Sequence, residues 1–168
     1  MAQPTAGGDL IPVRGALPSD RARIATFLDE RGMRYAARLG ELRDPAADEA
    51  LLAEDVDSAL IGVLTFQTAG RDREISALYA AESRRGIGSA LLEAVVDAAR
   101  QAGCDRLWLV TTNDNVDALR FYQRRGFRLA ELHVGAVDAS RATLKPSIPE
   151  IGDHGIPLRD ELVLERRL

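Results

Sequence analysis

The segment from residue 73 to residue 110 predicts a strand, a helix and a second strand in succession. Between two β-rich runs, apolar side chains recur at helical spacing, at Ile87, Leu91, Ala94, Val95, Ala98 and Ala102. Gly103 suits the end of this helix. The run 107–110 that follows is wholly apolar, which is typical of a central strand with a parallel neighbour. The chain is therefore expected to build a sheet with helices packed on it.

The flanking sequence adds further elements on both sides of this unit. We predict strands at 10–14, 33–39, 59–67, 127–134 and 156–164, and helices from Pro18, from Asp44-Pro45 to about Ala53, and from Asn113 to Gly126. The run 59–67 and the strand at 73–80 form an antiparallel hairpin, and the stretch around Lys145-Pro146 is an irregular excursion. The order β-α-β-α-β-β-β-α-β-α-β-β predicts one mixed α/β domain at residues 10–168, behind a flexible leader at residues 1–9.

Composition limits the classes of function. The 168 residues carry 22 Lys plus Arg against 26 Asp plus Glu, a net charge of −4, which argues against a nucleic-acid binder. The longest apolar stretch, 59–66, is too short to span a membrane. Cys104 is the single cysteine and there are two histidines, so neither a disulfide nor a zinc site is expected. We expect a cytoplasmic protein that binds no metal, nucleic acid or membrane.

A glycine-containing turn joins the strand at 73–80 to the long helix. Its residues Gly86-Ile87-Gly88-Ser89 begin the helix, where free backbone N–H groups and the positive end of the helix dipole bind anions. No lysine precedes Ser89, so the turn is not a P-loop. Leu91 stands where a dinucleotide-binding fingerprint has Gly or Ala. Taken alone, the turn is equally compatible with a plain strand-to-helix connection.

Two motifs together carry a family resemblance. The first, apolar-x4-[Gln/Arg]-x2-Gly-x-[Gly/Ala], is matched at Leu78, Gly86 and Gly88. The second, Asn-x2-Ala-x2-aromatic-Tyr-x3-Gly-Phe, is matched at Asn115, Ala118, Phe121, Tyr122, Gly126 and Phe127. From about residue 60 to residue 127 the chain resembles the GNAT acyltransferase superfamily. One position departs from the family pattern: Ser83 replaces the Gln or Arg and is followed by Arg84 and Arg85.

The resemblance implies an N-acetyltransferase that moves an acetyl group from acetyl-CoA to a primary amine in a ternary complex. The acceptor is a small-molecule amine or a protein amino group, and homodimers are common in similar proteins. The implied sheet is mixed, mostly antiparallel, splayed at the middle and flanked by about four helices. Tyr122 is the implied general acid toward the departing thiolate. The implied cofactor contacts are Leu78, Tyr79, Ala80, Arg84, Arg85, Gly86, Ile87, Gly88, Ser89 and Asn115.

The general base is open among several groups. Val110 stands where some family members have a glutamate. Glu74, on the strand before the glycine turn and on the face of Ser76 and Leu78 by period two, is a candidate base or an exposed hairpin-end charge. Asp160, in the middle of an apolar strand face, is a rival base, or it marks a β-bulge or forms a structural ion pair with an arginine. His133 is a second rival base or a half-buried structural histidine. Water can also relay the proton. The alternative function is a catalytically weak acyl-CoA-binding regulatory domain.

Overall fold

The structure, a computed structural model, describes residues 11–81 and 86–168. Over these ranges the strands are β1 Val13–Gly15, β2 Ala36–Arg38, β3 Glu41–Arg43, β4 Glu49–Glu54, β5 Leu60–Ala69, β6 Asp72–Ala80, β7 Arg106–Thr112, β8 Arg128–His133 and β9 Glu161–Arg167. The α-helices over the same ranges are α1 Arg21–Asp29, α2 Ile87–Gln101, α3 Val116–Gln123 and α4 Ala136–Thr143. The predicted leader at residues 1–9 lies outside the described residues. In the part described, no helix is both long and apolar enough to cross a bilayer.

Seven of the strands form one sheet in the order β1-β4-β5-β6-β7-β9-β8. Every neighbouring pair is antiparallel except β6 and β7, which are parallel because α2 crosses over between them. The prediction of a mixed, mostly antiparallel sheet is confirmed. Strands β2 and β3 form a separate two-stranded hairpin.

The sheet opens between its two central strands. Pairing of β6 with β7 runs only from Asp72 opposite Arg106 to Ile75 opposite Leu109. Beyond that point β6 continues to Ala80 and β7 continues to Thr112, with no pairing between them. The predicted splay in the middle of the sheet is therefore confirmed.

Two apolar clusters cover the two faces of the sheet. On one face α2 buries its stripe, which consists of Ile87, Leu91, Leu92, Val95, Val96 and Ala99. On the opposite face α1 packs Ile24, Phe27 and Leu28 against Leu52 and Val63. The hairpin β2–β3 also lies on this second face, because Arg38 contacts Glu74 and Ser76 of β6.

The predicted helix from Asp44 to about Ala53 is wrong. Asp44 does cap a turn, since its carboxylate accepts a hydrogen bond from the Ala46 N–H at 3.0 Å, but the turn is a single 3₁₀ turn at Pro45–Ala47. The chain then enters β4, which pairs with β1 on one side and β5 on the other. Hydrogen bonding to two neighbouring strands overrides the local capping signal.

Two differences occur in the C-terminal third. Helix α4 occupies part of the stretch that was predicted as an irregular excursion. The last strand begins at Glu161 and not at residue 156, because Pro157 forms an isolated bridge with Ile151 and the chain joins the sheet only afterwards. These differences matter because both segments border the site described next.

Candidate active site

A cleft of about 440 Å³ occupies the opening between β6 and β7. The unpaired ends of both strands line it. From the face that carries α2, its lining includes Asn115, Ala118 and Tyr122. From the opposite face, its lining includes Arg38 and Glu161. The cleft therefore connects the two faces of the sheet.

A β-bulge at Ser76 shapes the wall formed by β6. Thr65 pairs with Ala77 while Phe66 pairs with Ile75, so Ser76 is the extra residue. The Ser76 carbonyl accepts a hydrogen bond from Arg38 Nη1 at 2.8 Å, and the Ser76 hydroxyl donates to Asp48. The hairpin β2–β3 thus holds the bulge from the second face.

Beyond the bulge, β6 presents a free backbone edge to the cleft. The Ala81 N–H donates to the Ile61 carbonyl on β5 at 2.7 Å. Because hydrogen bonding alternates along an antiparallel ladder, the N–H and C=O groups of Leu78 and Ala80 point away from β5, toward the opening. Tyr79 lies between them, and its ring packs edge-on against Phe27 at 5.5 Å between centroids. Of the three predicted strand contacts, Leu78 and Ala80 turn their backbone groups to the opening, whereas the Tyr79 side chain lies on the α1 face.

The start of α2 offers open backbone N–H groups. Gly86 has φ +79°, which favours glycine, and its carbonyl accepts the first helical hydrogen bond, from the Ala90 N–H at 2.9 Å. The amides that precede Ala90 in α2, those of Ile87, Gly88 and Ser89, have no hydrogen-bond partner within the helix. Arg125 lies beside them, donating from Nη2 to Ser89 Oγ at 2.6 Å and stacking 3.8 Å from the Phe121 ring centroid. The predicted contacts at Arg84 and Arg85 lie outside the described residues.

Helix α3 supplies the other predicted side chains. The side-chain oxygen of Asn115, Oδ1, caps α3 by accepting from the Ala118 N–H at 3.1 Å. Tyr122 is 6% exposed, and its ring packs edge-on against Phe121 and Phe127 at 5.1 and 5.2 Å. Burial raises the pKa of Tyr122 above its ordinary value, so its hydroxyl stays protonated.

Glu74 is buried and not an exposed charge at the hairpin end. Its Oε1 lies 3.0 Å from Arg38 Nη2, and its Oε2 accepts from Gln67 Nε2 at 3.0 Å. Burial lowers the pKa of Arg38, and the Glu74 charge opposes that shift. The bulge at Ser76 interrupts the alternation of side chains along β6. Glu74 therefore faces the β2–β3 hairpin, while Leu78 packs with the α2 cluster on the other face. The expectation that Glu74 and Leu78 share a face is therefore wrong.

The two rival bases take other places. Asp160 precedes β9 and accepts a hydrogen bond from the Gly135 N–H at 2.8 Å, which fixes the start of α4. The expectation that Asp160 lies in the middle of an apolar strand face is wrong, because β9 starts one residue later. His133 is half-buried, with Nε2 at 3.1 Å from Glu131 Oε2.

Glu161 is a residue of the cleft that the sequence pattern did not indicate. It is 1% exposed, and its Oε2 accepts a hydrogen bond from the Leu39 N–H at 2.8 Å. The apolar alternation at Leu162 and Leu164 places Glu161 on the other side of the strand. That side is covered by the β2–β3 hairpin and α4, and no local pattern reports this packing.

Comparison with known proteins assigns the chain to a family. The sequence profile described as the acetyltransferase (GNAT) family matches residues 19–127, more than half of the chain. The chain belongs to the GNAT family. It is thus an acyltransferase of a family that uses acetyl-CoA, and the predicted resemblance is confirmed.

Individual GNAT relatives and structures agree with this assignment. The uncharacterized protein YdhI of Bacillus subtilis is 41% identical over 118 residues, which cover 70% of this chain and 73% of that protein. The streptothricin acetyltransferase of Streptomyces lavendulae is 27% identical over 141 residues, 79% of this chain and 74% of that protein. A GNAT family acetyltransferase from Elizabethkingia anophelis, solved with acetyl-CoA bound, has the same fold, with a TM-score of 0.65, 22% identity and coverage of 95% and 99% of the two chains.

Proposed function

We propose that this GNAT protein is an N-acetyltransferase that transfers the acetyl group of acetyl-CoA to a primary amine by direct attack in a ternary complex. The observation that carries the proposal is the cleft between β6 and β7, which reaches both faces of the sheet. A donor that enters from the α3 side can meet an acceptor that enters from the hairpin side. Both reactants can then be held before either one reacts.

The described residues fit the donor. The free edge of β6 at Leu78 and Ala80 can pair with the amides of the pantetheine arm as an added strand would. The first turn of α2, at Ile87, Gly88 and Ser89, offers its amides and helix dipole to the diphosphate. The proposed donor site also includes contacts from Arg84, Arg85 and the Asn115 side chain. In this proposal Tyr79 lies along the pantetheine arm.

Tyr122 is proposed to assist departure of the thiolate. A free thiol has a pKa near 8.5, well below that of the buried tyrosine, so full proton transfer from Tyr122 is uphill. The hydroxyl instead stabilises the thiolate by donating a charge-assisted hydrogen bond. On the other side of the reacting carbon, an N–H on the free edge of β6 can stabilise negative charge on the acetyl oxygen.

The attacking amine must also lose a proton. Glu74 remains a candidate base, acting through water, since its carboxylate is held by Arg38 and Gln67 on the acceptor face of the sheet. No observation on the described residues favours the regulatory-domain alternative. A small-molecule amine is our first expectation for the acceptor, since the relative named streptothricin acetyltransferase is named for a small molecule. A protein amino group, a homodimer and a cytoplasmic location stay predictions.

The proposal is tested by thiol release from acetyl-CoA in the presence of a panel of primary amines, with acetyl-CoA binding measured separately by calorimetry. We expect saturable binding of acetyl-CoA and release of thiol that depends on the amine. Acetyl-CoA at a hundred times its Kd should stabilise the fold by about 2.7 kcal/mol. Absence of both binding heat and thermal stabilisation contradicts the proposal.

A further inference from the structure

Two buried carboxylates lie on the acceptor face of the sheet, and their surroundings differ. Glu74 is opposite Trp108 on β7, Trp108 is opposite Glu165 on β9, and Glu161 lies four residues before Glu165. Paired and alternate residues share a face, so Glu74 and Glu161 point to the same side. Glu74 is neutralised by the buried guanidinium of Arg38. Among the described residues, no Lys, Arg or His lies within salt-bridge distance of Glu161.

The contacts of Glu161 leave part of its carboxylate available. Its Oε2 accepts from the N–H of Leu39, a residue that adopts φ +48°, a conformation rare for a residue other than glycine. For the other oxygen, the described part of the chain supplies no hydrogen-bond donor. A carboxylate that is 1% exposed and forms no salt bridge among the described residues, with Arg38 as a more distant positive charge, favours a ligand that brings a positive charge into contact with it.

The rest of the acceptor side indicates what that ligand carries besides its charge. The lining of the cleft includes six aliphatic side chains, Met33, Ala36, Ala37, Val137, Ile148 and Leu158, and also Tyr35, Arg38 and Lys145. The two cations have partners of their own, because Arg38 pairs with Glu74 and Lys145 Nζ donates to the Tyr35 carbonyl at 2.8 Å. An alkyl chain can lie against the aliphatic residues while its terminal nitrogen reaches the carboxylate. An aliphatic primary amine, which is protonated at neutral pH, combines both properties.

We propose that Glu161 binds the ammonium group of an alkylamine acceptor and takes up a proton from it before the nitrogen attacks; this rests on the proposed function. The bound ammonium gives one proton to Glu161, which frees the nitrogen lone pair. The C–N bond then forms and the C–S bond of the thioester breaks. The second nitrogen proton reaches the thiolate through solvent and yields the free thiol, and Glu161 returns its own proton to solvent. Glu74 keeps Arg38 in place in this scheme.

The test compares Glu161→Gln with the wild type and with a control on the same face of the same strand. The amide oxygen of Gln can still accept the Leu39 N–H, so the hairpin contact survives. The control is Glu165→Gln, whose carboxylate is held by Arg106 at 2.7 Å outside the cleft. Acetyl-CoA and the series propylamine to hexylamine serve as substrates.

We expect Glu161→Gln to lower kcat/KM for hexylamine by about 100-fold or more, the usual effect of removing a positioned base. The KM for the amine should rise, whereas the Kd for acetyl-CoA should stay within about twofold of the wild type. Glu165→Gln should keep kcat/KM within about threefold. Should Glu161→Gln not fold, a competition assay with the wild-type enzyme provides the test. In that assay hexylguanidinium should compete with hexylamine, and hexan-1-ol at equal concentration should not.

Several results overturn the inference. One is a Glu161→Gln enzyme whose kcat/KM is unchanged for every amine. Another is a Glu161→Gln enzyme whose affinity for acetyl-CoA falls as much as its kcat/KM, which indicates a purely structural role. Equal competition by hexan-1-ol and hexylguanidinium also contradicts it. If the wild type binds acetyl-CoA but acetylates no alkylamine, the proposed role of Glu161 is overturned and the proposed function is not. A wild type that does not bind acetyl-CoA contradicts the proposed function instead.

Discussion

Replacing Gly62 by alanine tests how closely α2 is packed on the sheet beside the proposed donor site. A Cβ at Gly62 would lie 2.5 Å from Ile87 Cγ2, 2.9 Å from Leu91 Cδ1 and 3.3 Å from the Tyr79 carbonyl oxygen. Favourable carbon–carbon contacts lie at about 3.5–4.0 Å, so the start of α2 must move by about 1 Å. Ile87 and Leu91 are fully buried and have no free space to enter.

Overpacking of this kind costs about 1–3 kcal/mol. For a chain of this size each kcal/mol lowers Tm by about 2–4 °C, so Gly62→Ala should melt about 2–12 °C below the wild type. Urea unfolding and a thermal scan measure the two quantities. Because Ile87 begins α2, the variant should also bind acetyl-CoA more weakly than the wild type.

Gly15→Ala is the matched control. Gly15 is also a strand glycine, but a Cβ there meets nothing within 4 Å. Its effect should stay within about 1 kcal/mol, and a slight stabilisation is expected because alanine restricts the unfolded chain. Equal stability of Gly62→Ala and Gly15→Ala would refute the close approach of α2 to β5.

Three further predictions concern the Tyr122 hydroxyl, the buried ion pair of Arg38 with Glu74, and the stability of the protein at acid pH. Tyr122→Phe should lower kcat about tenfold or more through loss of a hydrogen bond to a charged group, with acetyl-CoA affinity unchanged, as measured by thiol release and calorimetry. Arg38→Met should destabilise the protein by about 3–5 kcal/mol in urea, because it removes the buried cation of Glu74 and leaves only Arg43, whose Nη1 lies 3.8 Å from Glu74 Oε2, and the double variant Arg38→Met/Glu74→Leu should lose much less. Hydrogen bonding to Arg14 holds the pKa of Asp20 at about 2, so this contribution to stability is complete above about pH 4 and is lost as the pH falls toward 2. Asp20→Asn should remove that part of the acid dependence, as measured by urea unfolding between pH 2 and pH 6.

Each of these three predictions has a contrary result. Wild-type kcat in Tyr122→Phe removes Tyr122 from the reaction. A double variant as unstable as Arg38→Met alone shows that the uncompensated charge of Glu74 is not the cause. An acid dependence that is identical in Asp20→Asn and wild type assigns the loss of stability to other carboxylates.

The elements around the proposed donor site could be predicted because their signals are local. The strand β6, the glycine turn and α2 follow one another in the chain, and a helical stripe and a glycine at a left-handed position are visible in a short window. The opening of the sheet followed from the family resemblance and not from any periodicity. The bulge at Ser76 has no local signal, and it reversed the expected face of Leu78.

The surroundings of the proposed acceptor site could not be predicted because distant segments build them. Arg38 meets β6 only after the β2–β3 hairpin folds over the sheet, and Glu161 enters the cleft only because β9 starts there. Helix α4 has eight residues, too few for stability on its own. It begins where the Asp160 carboxylate accepts the Gly135 N–H and the Arg159 carbonyl accepts the Val137 N–H, contacts that span more than twenty residues.

Amide hydrogen exchange, measured at single residues with and without acetyl-CoA, tests the proposed donor site most directly. At a hundred times the Kd, the amides of Leu78 and Ala80 and those of the first turn of α2 should exchange about a hundredfold more slowly. The Tyr79 amide, which the ladder already directs toward β5, should change much less. Unchanged exchange at Leu78 and Ala80 in a protein saturated with acetyl-CoA contradicts the placement of the donor in the opening between β6 and β7.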